Sequence, residues 1–276
     1  MSAQKRRIII HLGFPKTGST TIQGMLAANG DRLGEGIVAS PKDELTYRLR
    51  KYALKYRRSG HLFWWKLRHE MALRQMVRTI DAMDFETLVI SDENMIGIES
   101  GKIFDPPERT NYLPWVAHLD AALSAYDVHY VIYHREPKSW QRSAWNQAFK
   151  MRRVKADFET WAKDHSDLDA PRRIIKQFRG LLGERLHVLD MAEEIGADRL
   201  MGRFILELAG VSQDRIAEVV LPPRENESLP LASIELLRLI HETGKFRGGR
   251  YRTLSRLFKA HPELFAPNPK PPRKKG

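Results

Sequence analysis

The residues best suited to chemistry lie in a short glycine-containing stretch near the start of the chain. Residues 11–21 read His-Leu-Gly-Phe-Pro-Lys-Thr-Gly-Ser-Thr-Thr, after the apolar run Ile8 to Ile10 and before a helical pattern that begins at Ile22. A turn from strand to helix directs several backbone N–H groups and the positive end of a helix dipole at one place. The hydroxyls at positions 19 to 21 add donors there. The stretch therefore predicts a binding site for phosphate or a related oxyanion.

The spacing of this stretch differs from a nucleotide-binding P-loop at one position. From Gly13 to Thr20 the sequence reads G-x-x-x-x-G-S-T, whereas the P-loop pattern is G-x-x-x-x-G-K-[ST]. Ser19 stands where the lysine is expected, and the cation is found at Lys16 instead. Because the glycines are kept and the cation has moved, we expect the loop to hold a related oxyanion in a different pose.

Two segments together resemble a known enzyme family. Residues 13–21 resemble the 5′-phosphosulfate loop of sulfotransferases that use 3′-phosphoadenylyl sulfate (PAPS) as the sulfuryl donor. Arg135 follows the strand pattern Val128 to Tyr133, and Ser143 lies eight residues later in a helix that Pro137 begins. This Arg-x7-Ser spacing resembles the 3′-phosphate motif of the same family. A guanidinium at a strand end can bind a phosphate through two hydrogen bonds, and a serine on the next helix can donate another.

The resemblance implies roles for the residues of both motifs. Lys16 would neutralise the oxygen that leaves sulfur during transfer of the sulfuryl group to an acceptor hydroxyl. The residues implied to bind PAPS are Pro15, Lys16, Thr17, Gly18, Ser19, Thr20, Thr21, Arg135 and Ser143. One position departs from the family pattern: Ile22 stands where the small-molecule branch has a tryptophan, so the residue that stacks on adenine is unassigned.

Two late loops compete for the 3′-phosphate side of the nucleotide. The segment from Pro222 to Leu229, which includes Arg224, resembles the Asn-x-Ser-Leu loop that closes over the nucleotide in bacterial members of the family. It reads equally well as an ordinary helix start with Ser228 near the cap. The basic, glycine-containing segment 245–249, which includes Arg247, is the competitor.

A general base for the acceptor proton is predicted at the end of another strand. Residues 87–91 read as a buried strand that leads directly into Asp92 and Glu93. Ligands of open parallel sheets bind outside the carboxyl ends of the strands, which places Glu93 on the same edge as the Lys16 loop. We expect burial there to raise the pKa of Glu93 toward neutrality. His11 is the second candidate for the base, although it also reads as a strand residue beside the core.

Length and composition favour one α/β domain. The chain has 276 residues, and 42% of them are hydrophobic. Alternating strand and helix patterns predict a three-layer α/β/α domain with a central, mostly parallel sheet, similar to P-loop NTPases, over residues 1–266. The proline-rich basic segment 267–276 is expected to be a disordered tail. The absence of cysteine removes disulfides and Cys-containing zinc sites, and no metal site is predicted. No apolar run is long enough to span a bilayer, and a cytoplasmic location is expected.

The excess of positive charge predicts anionic partners. The chain has 46 lysines and arginines and 34 acidic residues, which gives a net charge of +12. Besides the nucleotide, the expected partner is an acceptor, for which a carbohydrate, a lipid-linked sugar or another small polar molecule such as an alcohol would fit, and the basic tail suggests peripheral contact with a membrane. Residues 48–58 combine cations with tyrosines on one helix, as either a solvated face or an acceptor-binding wall. In the helical pattern from His61 to Met83, Trp64 and Trp65 cannot both face inward.

Two other functions stay open at this level. A kinase or nucleotide hydrolase using Mg-ATP would explain the loop, and the strand before Asp92 resembles a Walker B strand whose carboxylate holds magnesium. The missing lysine after Gly18 counts against that interpretation. A basic, non-enzymatic binder of anions or nucleic acid would explain the charge but not the loop, and no recognised nucleic-acid motif is present.

Overall fold

A five-stranded parallel sheet forms the centre of the computed structural model. The structure describes residues 5–60, 62–99, 102–104, 111–150, 156–195 and 199–222, and the single residues 233, 234, 236, 237, 254, 256, 258 and 261. The strands are β1 (Arg7–His11), β2 (Ile37–Pro41), β3 (Thr87–Ser91), β4 (Asp127–His134) and β5 (Leu186–Asp190). They are ordered β2-β3-β1-β4-β5, and every neighbouring pair is parallel. The predicted three-layer α/β/α fold with a parallel sheet is confirmed.

Helices cover both faces of the sheet. They are α1 (Ser19–Asn29), α2 (Glu44–Arg58), α3 (Phe63–Asp81), α4 (Leu113–Ala122), α5 (Pro137–Lys150), α6 (Phe158–Asp164), α7 (Ala170–Leu182), α8 (Arg203–Leu208) and α9 (Gln213–Ala217). Alternation along β1 divides the core, because successive side chains of a strand point to opposite faces. Ile9 belongs to the cluster beneath α1, α8 and α9, whereas Ile8 and Ile10 belong to the larger cluster beneath α2 to α7.

Two helices differ from the sequence-based prediction. The pattern from Asp198 to Ala209 predicted one helix, but α8 begins only at Arg203, because Gly202 precedes it with a left-handed φ of 94°. The pattern from Leu113 to Tyr126 also runs past the end of α4. The chain turns there, with the Tyr126 N–H donating to the carbonyl of Leu123, so that β4 can start beside β1.

Several predicted features lie outside the described residues. These are Arg224 and Arg247 with the loops that contain them, and the tail 267–276. In the part of the chain that is described, no helix is both long and apolar enough to cross a membrane.

Candidate active site

A cavity of about 660 Å³ opens at the carboxyl edge of the sheet. Each strand is followed by at least one residue that lines the cavity. Examples are Lys42 after β2, Glu93 after β3, Lys16 after β1, Arg135 after β4 and Met191 after β5. The chain switches sides of the sheet around β1, and open α/β sheets bind ligands at such a point. The volume falls within the range of ~300–1,000 Å³ that is usual for small-molecule sites.

The predicted loop residues meet Glu93, Arg135 and Ser143 in this one cavity. Pro15, Lys16, Gly18, Ser19, Thr20 and Thr21 line it on the β1 side. Segments more than 100 residues apart in sequence are therefore neighbours here.

The loop between β1 and α1 depends on two glycines. Gly18 has a φ of 87°, and a Cβ there would lie 2.6 Å from the terminal methyl of Met201. Gly13 has a φ of 35°, and a Cβ there would lie 2.8 Å from Oγ of Ser19 and 2.9 Å from Nε2 of His11. The backbone is left-handed and tightly surrounded at both points, so only glycine fits without displacing a neighbour.

Two lysines also have a left-handed backbone, a conformation that favours glycine. Lys16 has a φ of 72° and Lys42 a φ of 48°, and no other non-glycine residue in the described ranges has a positive φ. Both lysines line the cavity. Non-glycine residues in this region are strained by about 1–3 kcal/mol, and such strain clusters at functional sites. The strain therefore marks Lys42, which the sequence analysis did not single out.

Buried hydrogen bonds fix the loop from behind. The indole N–H of Trp140, on α5, donates to the carbonyl of Pro15 at 2.8 Å. The hydroxyl of Thr17 donates to the carbonyl of Phe14 at 2.6 Å, and Thr17 is fully buried. The side chain of Thr17 therefore closes the loop and is not among those that line the cavity.

The N-terminus of α1 is open to the cavity. Gly18 is its N-cap, no side chain caps it, and its first turn contains no acidic residue. The first N–H groups of a helix have no partners within the helix, and together with the helix dipole they favour an anion. Ser19, Thr20 and Thr21 occupy this first turn and line the cavity. The geometry suits a phosphate-like group beside Lys16.

The junction between β4 and α5 carries a second cation. The guanidinium of Arg135 donates from Nη2 to Oγ of Ser139 at 2.6 Å, and burial lowers its pKa while the nearby Glu136 opposes that shift. Glu136 itself accepts hydrogen bonds from the backbone N–H groups of Lys138 and Ser139, at 2.9 and 2.6 Å. Ser143 lies one helical turn beyond Ser139, is almost buried, and lines the cavity. An anion at this junction would be held by side chains.

Glu93 is an ionised carboxylate that accepts hydrogen bonds from three side chains, one of them the adjacent Asn94 at 3.1 Å. Nζ of Lys42 donates to Oε1 and Nε2 of Gln23 donates to Oε2, each at 2.5 Å. Burial raises the pKa of Glu93, but the charge and hydrogen bond of Lys42, helped by Gln23, more than offset this, and the pKa ends below its ordinary value. The expectation of a raised pKa was wrong, because it did not include Lys42 and Gln23. The carboxylate is thus in its basic form and fixed in orientation at neutral pH.

His11 is a buried residue at the end of β1. Its ring is fully buried, its Nδ1 lies 2.8 Å from Oγ of Ser91, and its edge meets the Tyr133 ring. Burial lowers its pKa to about 4, which Glu93 only partly opposes, so the ring is neutral. His11 supports the loop at Gly13 and is not among the cavity-lining residues. The competing interpretation of His11 as a core strand residue agrees with this placement.

Asp92, the candidate magnesium ligand, is committed to other contacts. It is fully buried, and its Oδ2 accepts from the hydroxyl of Thr46 at 2.6 Å and from Arg50 at 2.8 Å. Its Oδ1 accepts from the backbone N–H of Asn94. Burial raises its pKa, against the opposing effects of Thr46 and Arg50. Asp92 joins α2 to the end of β3 and does not line the cavity.

One helix supplies a wall that sequence reasoning left open. Tyr47, Arg50, Lys51, Leu54 and Arg58, all on α2, line the cavity opposite the loop. The tyrosines at 52 and 56 point away from it and pack on Trp65 and Trp115. The basic and aromatic pattern of residues 48–58 therefore contains both a core face and a cavity face.

Nothing in the sequence marked Lys42 or Gln23 as residues of the site, since each is one polar residue without a motif.

Among solved structures, the chain is similar to a bacterial sulfotransferase. The crystal structure of a sulfotransferase from Alicyclobacillus acidocaldarius aligns with a TM-score of 0.45 and 17% identity, over 91% of this chain and 99% of that chain. No protein-family model matches the chain, and no curated protein matches it. An identity this low assigns neither a donor nor an acceptor to this chain.

Proposed function

We propose that the protein is a PAPS-dependent sulfotransferase that transfers a sulfuryl group to a hydroxyl of a carbohydrate or lipid-linked sugar. One observation carries the proposal: a single cavity contains an uncapped helix N-terminus beside Lys16, a second cation at Arg135, and the ionised carboxylate of Glu93. PAPS has anionic groups at two separate points and must meet an acceptor whose proton is removed. The cavity offers a matching group for each of these three needs.

The chain's residues would divide the work as follows. The loop and the N-terminus of α1 would bind the 5′ end of the donor, and Arg135 with Ser143 would bind the 3′-phosphate. The acceptor oxygen forms a bond to sulfur while the bond from sulfur to the bridging oxygen breaks, and the electron pair leaves with adenosine 3′,5′-bisphosphate (PAP). Lys16 would neutralise that bridging oxygen, and Glu93 would take the acceptor proton. As in phosphoryl transfer, the protein mainly positions and neutralises.

The contacts of Glu93 and His11 favour Glu93 as the base. Glu93 lines the cavity, and its carboxylate is oriented by Lys42 and Gln23. His11 is buried beneath the loop with its Nδ1 against Ser91. A base must come within hydrogen-bond reach of the proton that it takes, and a cavity-lining carboxylate satisfies that condition directly.

Calorimetric titration of the full chain with PAP, 5′-AMP and Mg-ATP tests the proposal. PAP should bind at least about tenfold more tightly than 5′-AMP, since hydrogen bonds to a charged group contribute about 1.5–3 kcal/mol and only PAP brings the 3′-phosphate. Equal affinities for PAP and 5′-AMP would remove the 3′-phosphate assignment. Tight binding and hydrolysis of Mg-ATP, lost with EDTA and restored by magnesium, would replace the proposal with the kinase class. Release of PAP from PAPS that persists in EDTA is the expected result.

A further inference from the structure

The first turns of α3 carry an exposed apolar surface, and its residues do not line the cavity. Eleven large hydrophobic side chains are exposed among the described residues, and five of them fall within residues 62–71. Trp64 is 70% exposed, Phe63 67% and Met71 62%. We call this set the α3 apolar patch; its members are Leu62, Phe63, Trp64, Leu67 and Met71. Hydrophobic residues scattered singly over a surface are normal, but a group of five marks a contact site.

The geometry of the helix makes the patch continuous. Phe63, Leu67 and Met71 are spaced by four residues, so their side chains follow one another along one face of α3. Trp64 lies beside Phe63 on the same turn. The opposite face of α3 packs into the core through residues such as Met76 and Ile80. The helix is therefore apolar on its buried face and, over its first two turns, on its exposed face as well.

Cations lie at one end of the patch and over the neighbouring ring of Trp65. Arg74 and Arg78 continue the exposed face of α3 beyond Met71, and both are exposed. Nζ of Lys55, on α2, lies 4.3 Å from the ring centre of Trp65, and Cζ of Arg68 lies 5.4 Å from the same ring. In the sequence from 62 to 80, Glu70 is the one acidic residue against four lysines and arginines. The surface thus pairs an aromatic apolar patch with neighbouring positive charge.

We propose that the α3 apolar patch docks the protein on the surface of an anionic phospholipid bilayer. Exposed tryptophan, phenylalanine and leucine beside lysine and arginine are the composition of helices that lie in the membrane interface. The apolar side chains enter the headgroup region, and the cations meet the anionic headgroups. This assigns membrane contact to α3, whereas the sequence analysis had assigned it to the tail 267–276. Docking through α3 does not depend on the reaction in the cavity.

The helix that carries the patch also packs on a helix that lines the cavity. Helix α2 packs on α3 through contacts such as the stacked rings of Tyr52 and Trp65, 6.1 Å apart. The other face of α2 supplies Tyr47 and Lys51 to the cavity. A protein held by α3 therefore has the α2 wall of the cavity one helix away from the docked surface.

Vesicle co-sedimentation of the full chain tests the docking. We expect binding to mixed phosphatidylcholine–phosphatidylglycerol vesicles and much weaker binding to pure phosphatidylcholine. The double variant Phe63→Ser, Trp64→Ser should lower the partition coefficient about tenfold or more, since interfacial binding scales with the apolar area inserted. Leu181→Ser, an exposed leucine on α7, is the matched control and should bind like the wild type.

Tryptophan fluorescence gives a second readout. Of the six tryptophans, Trp64 is exposed, Trp65 is half-buried and the other four are buried. Binding to mixed vesicles should therefore shift the emission to the blue. Trp64→Phe should abolish most of that shift while keeping co-sedimentation, because phenylalanine preserves the apolar surface.

Three results would overturn the proposal. The first is a wild-type chain that does not co-sediment with the mixed vesicles. The second is a double variant that binds like the wild type while removal of residues 267–276 abolishes binding, which would return membrane contact to the tail. The third is a concentration-dependent dimer in sedimentation velocity that the double variant abolishes without any effect on vesicle binding, which would make the patch an interface between two copies.

Discussion

The two strand-to-helix junctions beside the cavity differ in how the first N–H groups of the helix are capped. After β1, α1 starts at Gly18 without a side-chain cap and without an acidic residue in its first turn. After β4, the carboxylate of Glu136 occupies the first N–H groups of α5. Both helices begin at the same edge of the sheet. Only in the first helix are the N-terminal N–H groups uncapped by a side chain and able to bind a ligand.

This difference assigns the two junctions different tasks toward an anion. At the first, the backbone itself is a preorganised donor set, and Lys16 is fixed beside it in a strained conformation. At the second, a bound phosphate would compete with Glu136 for the backbone, so Arg135 and Ser143 must hold it. We therefore expect the first junction to act on the transition state and the second to act mainly on affinity. The following substitutions separate these effects.

The largest effect is expected from a residue of neither junction. Glu93→Gln should cut the turnover number by roughly 10²- to 10⁴-fold, the usual scale of general-base removal, and leave PAP affinity unchanged because both junctions stay intact. Steady-state kinetics with saturating PAPS and calorimetry with PAP measure the two quantities. Glu99→Gln is the matched control, a second carboxylate that lines the cavity, and it should affect turnover far less. Normal turnover in Glu93→Gln combined with loss in His11→Ala would transfer the role to His11.

Lys16→Ala tests the first junction. Loss of one preorganised donor to a developing charge typically costs about 10²–10³ in rate, and we expect that loss in turnover with a much smaller change in PAP affinity. Lys51→Ala removes another cavity-lining cation and should preserve turnover. Lys16→Gly should be as inactive as Lys16→Ala but melt no lower than the wild type, since glycine accepts the φ of 72° without strain. A purely binding defect in Lys16→Ala would make the two junctions alike.

Arg135→Ala tests the second junction. PAP affinity should fall about 10- to 100-fold, the equivalent of about 1.5–3 kcal/mol for a charged hydrogen bond, while 5′-AMP affinity stays the same. Lys138→Ala is the matched control, an exposed cation in the first turn of α5. An equal loss of PAP and 5′-AMP affinity would mean that Arg135 acts through the general positive field and holds no particular phosphate.

Sequence patterns predicted the sheet and the first junction because both depend on local chemistry. An uninterrupted β-branched run predicts a buried parallel strand, and the glycines around Lys16 have few alternatives to a tight turn. The shared edge of Glu93 and the loop also followed from the rule for parallel strands. These inferences need no knowledge of which side chains meet.

The electrostatic state of the site could not be predicted, because it depends on contacts between distant segments. Glu93 is ionised by Lys42 and Gln23, which lie 51 and 70 residues away in sequence. The loop is fixed by Trp140, 125 residues from Pro15. A motif could place Glu93 at the cavity, but only the packing of α1 and β2 against β3 decides the sign of its pKa shift.

Lys42→Met is expected to have the smallest effect on rate near neutral pH and the clearest effect on its pH dependence. In the wild type, Lys42 outweighs the burial that raises the pKa of Glu93. Without the ammonium, burial prevails and the pKa rises. If the ionised carboxylate is the base, as we propose, the acidic limb of the pH–rate profile should move to higher pH. Lys51→Met should leave the limb in place, and an unmoved limb in Lys42→Met would show that another group titrates.

The free energy of unfolding of Lys42→Met should also depend on pH through the ionisation of Glu93. A carboxylate whose pKa is lower in the folded than in the unfolded chain stabilises the fold above the unfolded pKa, and that contribution disappears as the pH falls through the folded pKa. The substitution removes this contribution and leaves the mostly buried side chain of Glu93 with Gln23 as its remaining long-range donor. The variant should therefore unfold more easily than the wild type at neutral pH, and the difference should shrink in acid, where both chains carry a protonated Glu93. Chemical denaturation across this pH range measures the difference. A loss of stability that is the same at every pH would mean that Lys42 contributes through its packing at the end of β2, and the ion pair with Glu93 would then explain neither the stability nor the pH profile.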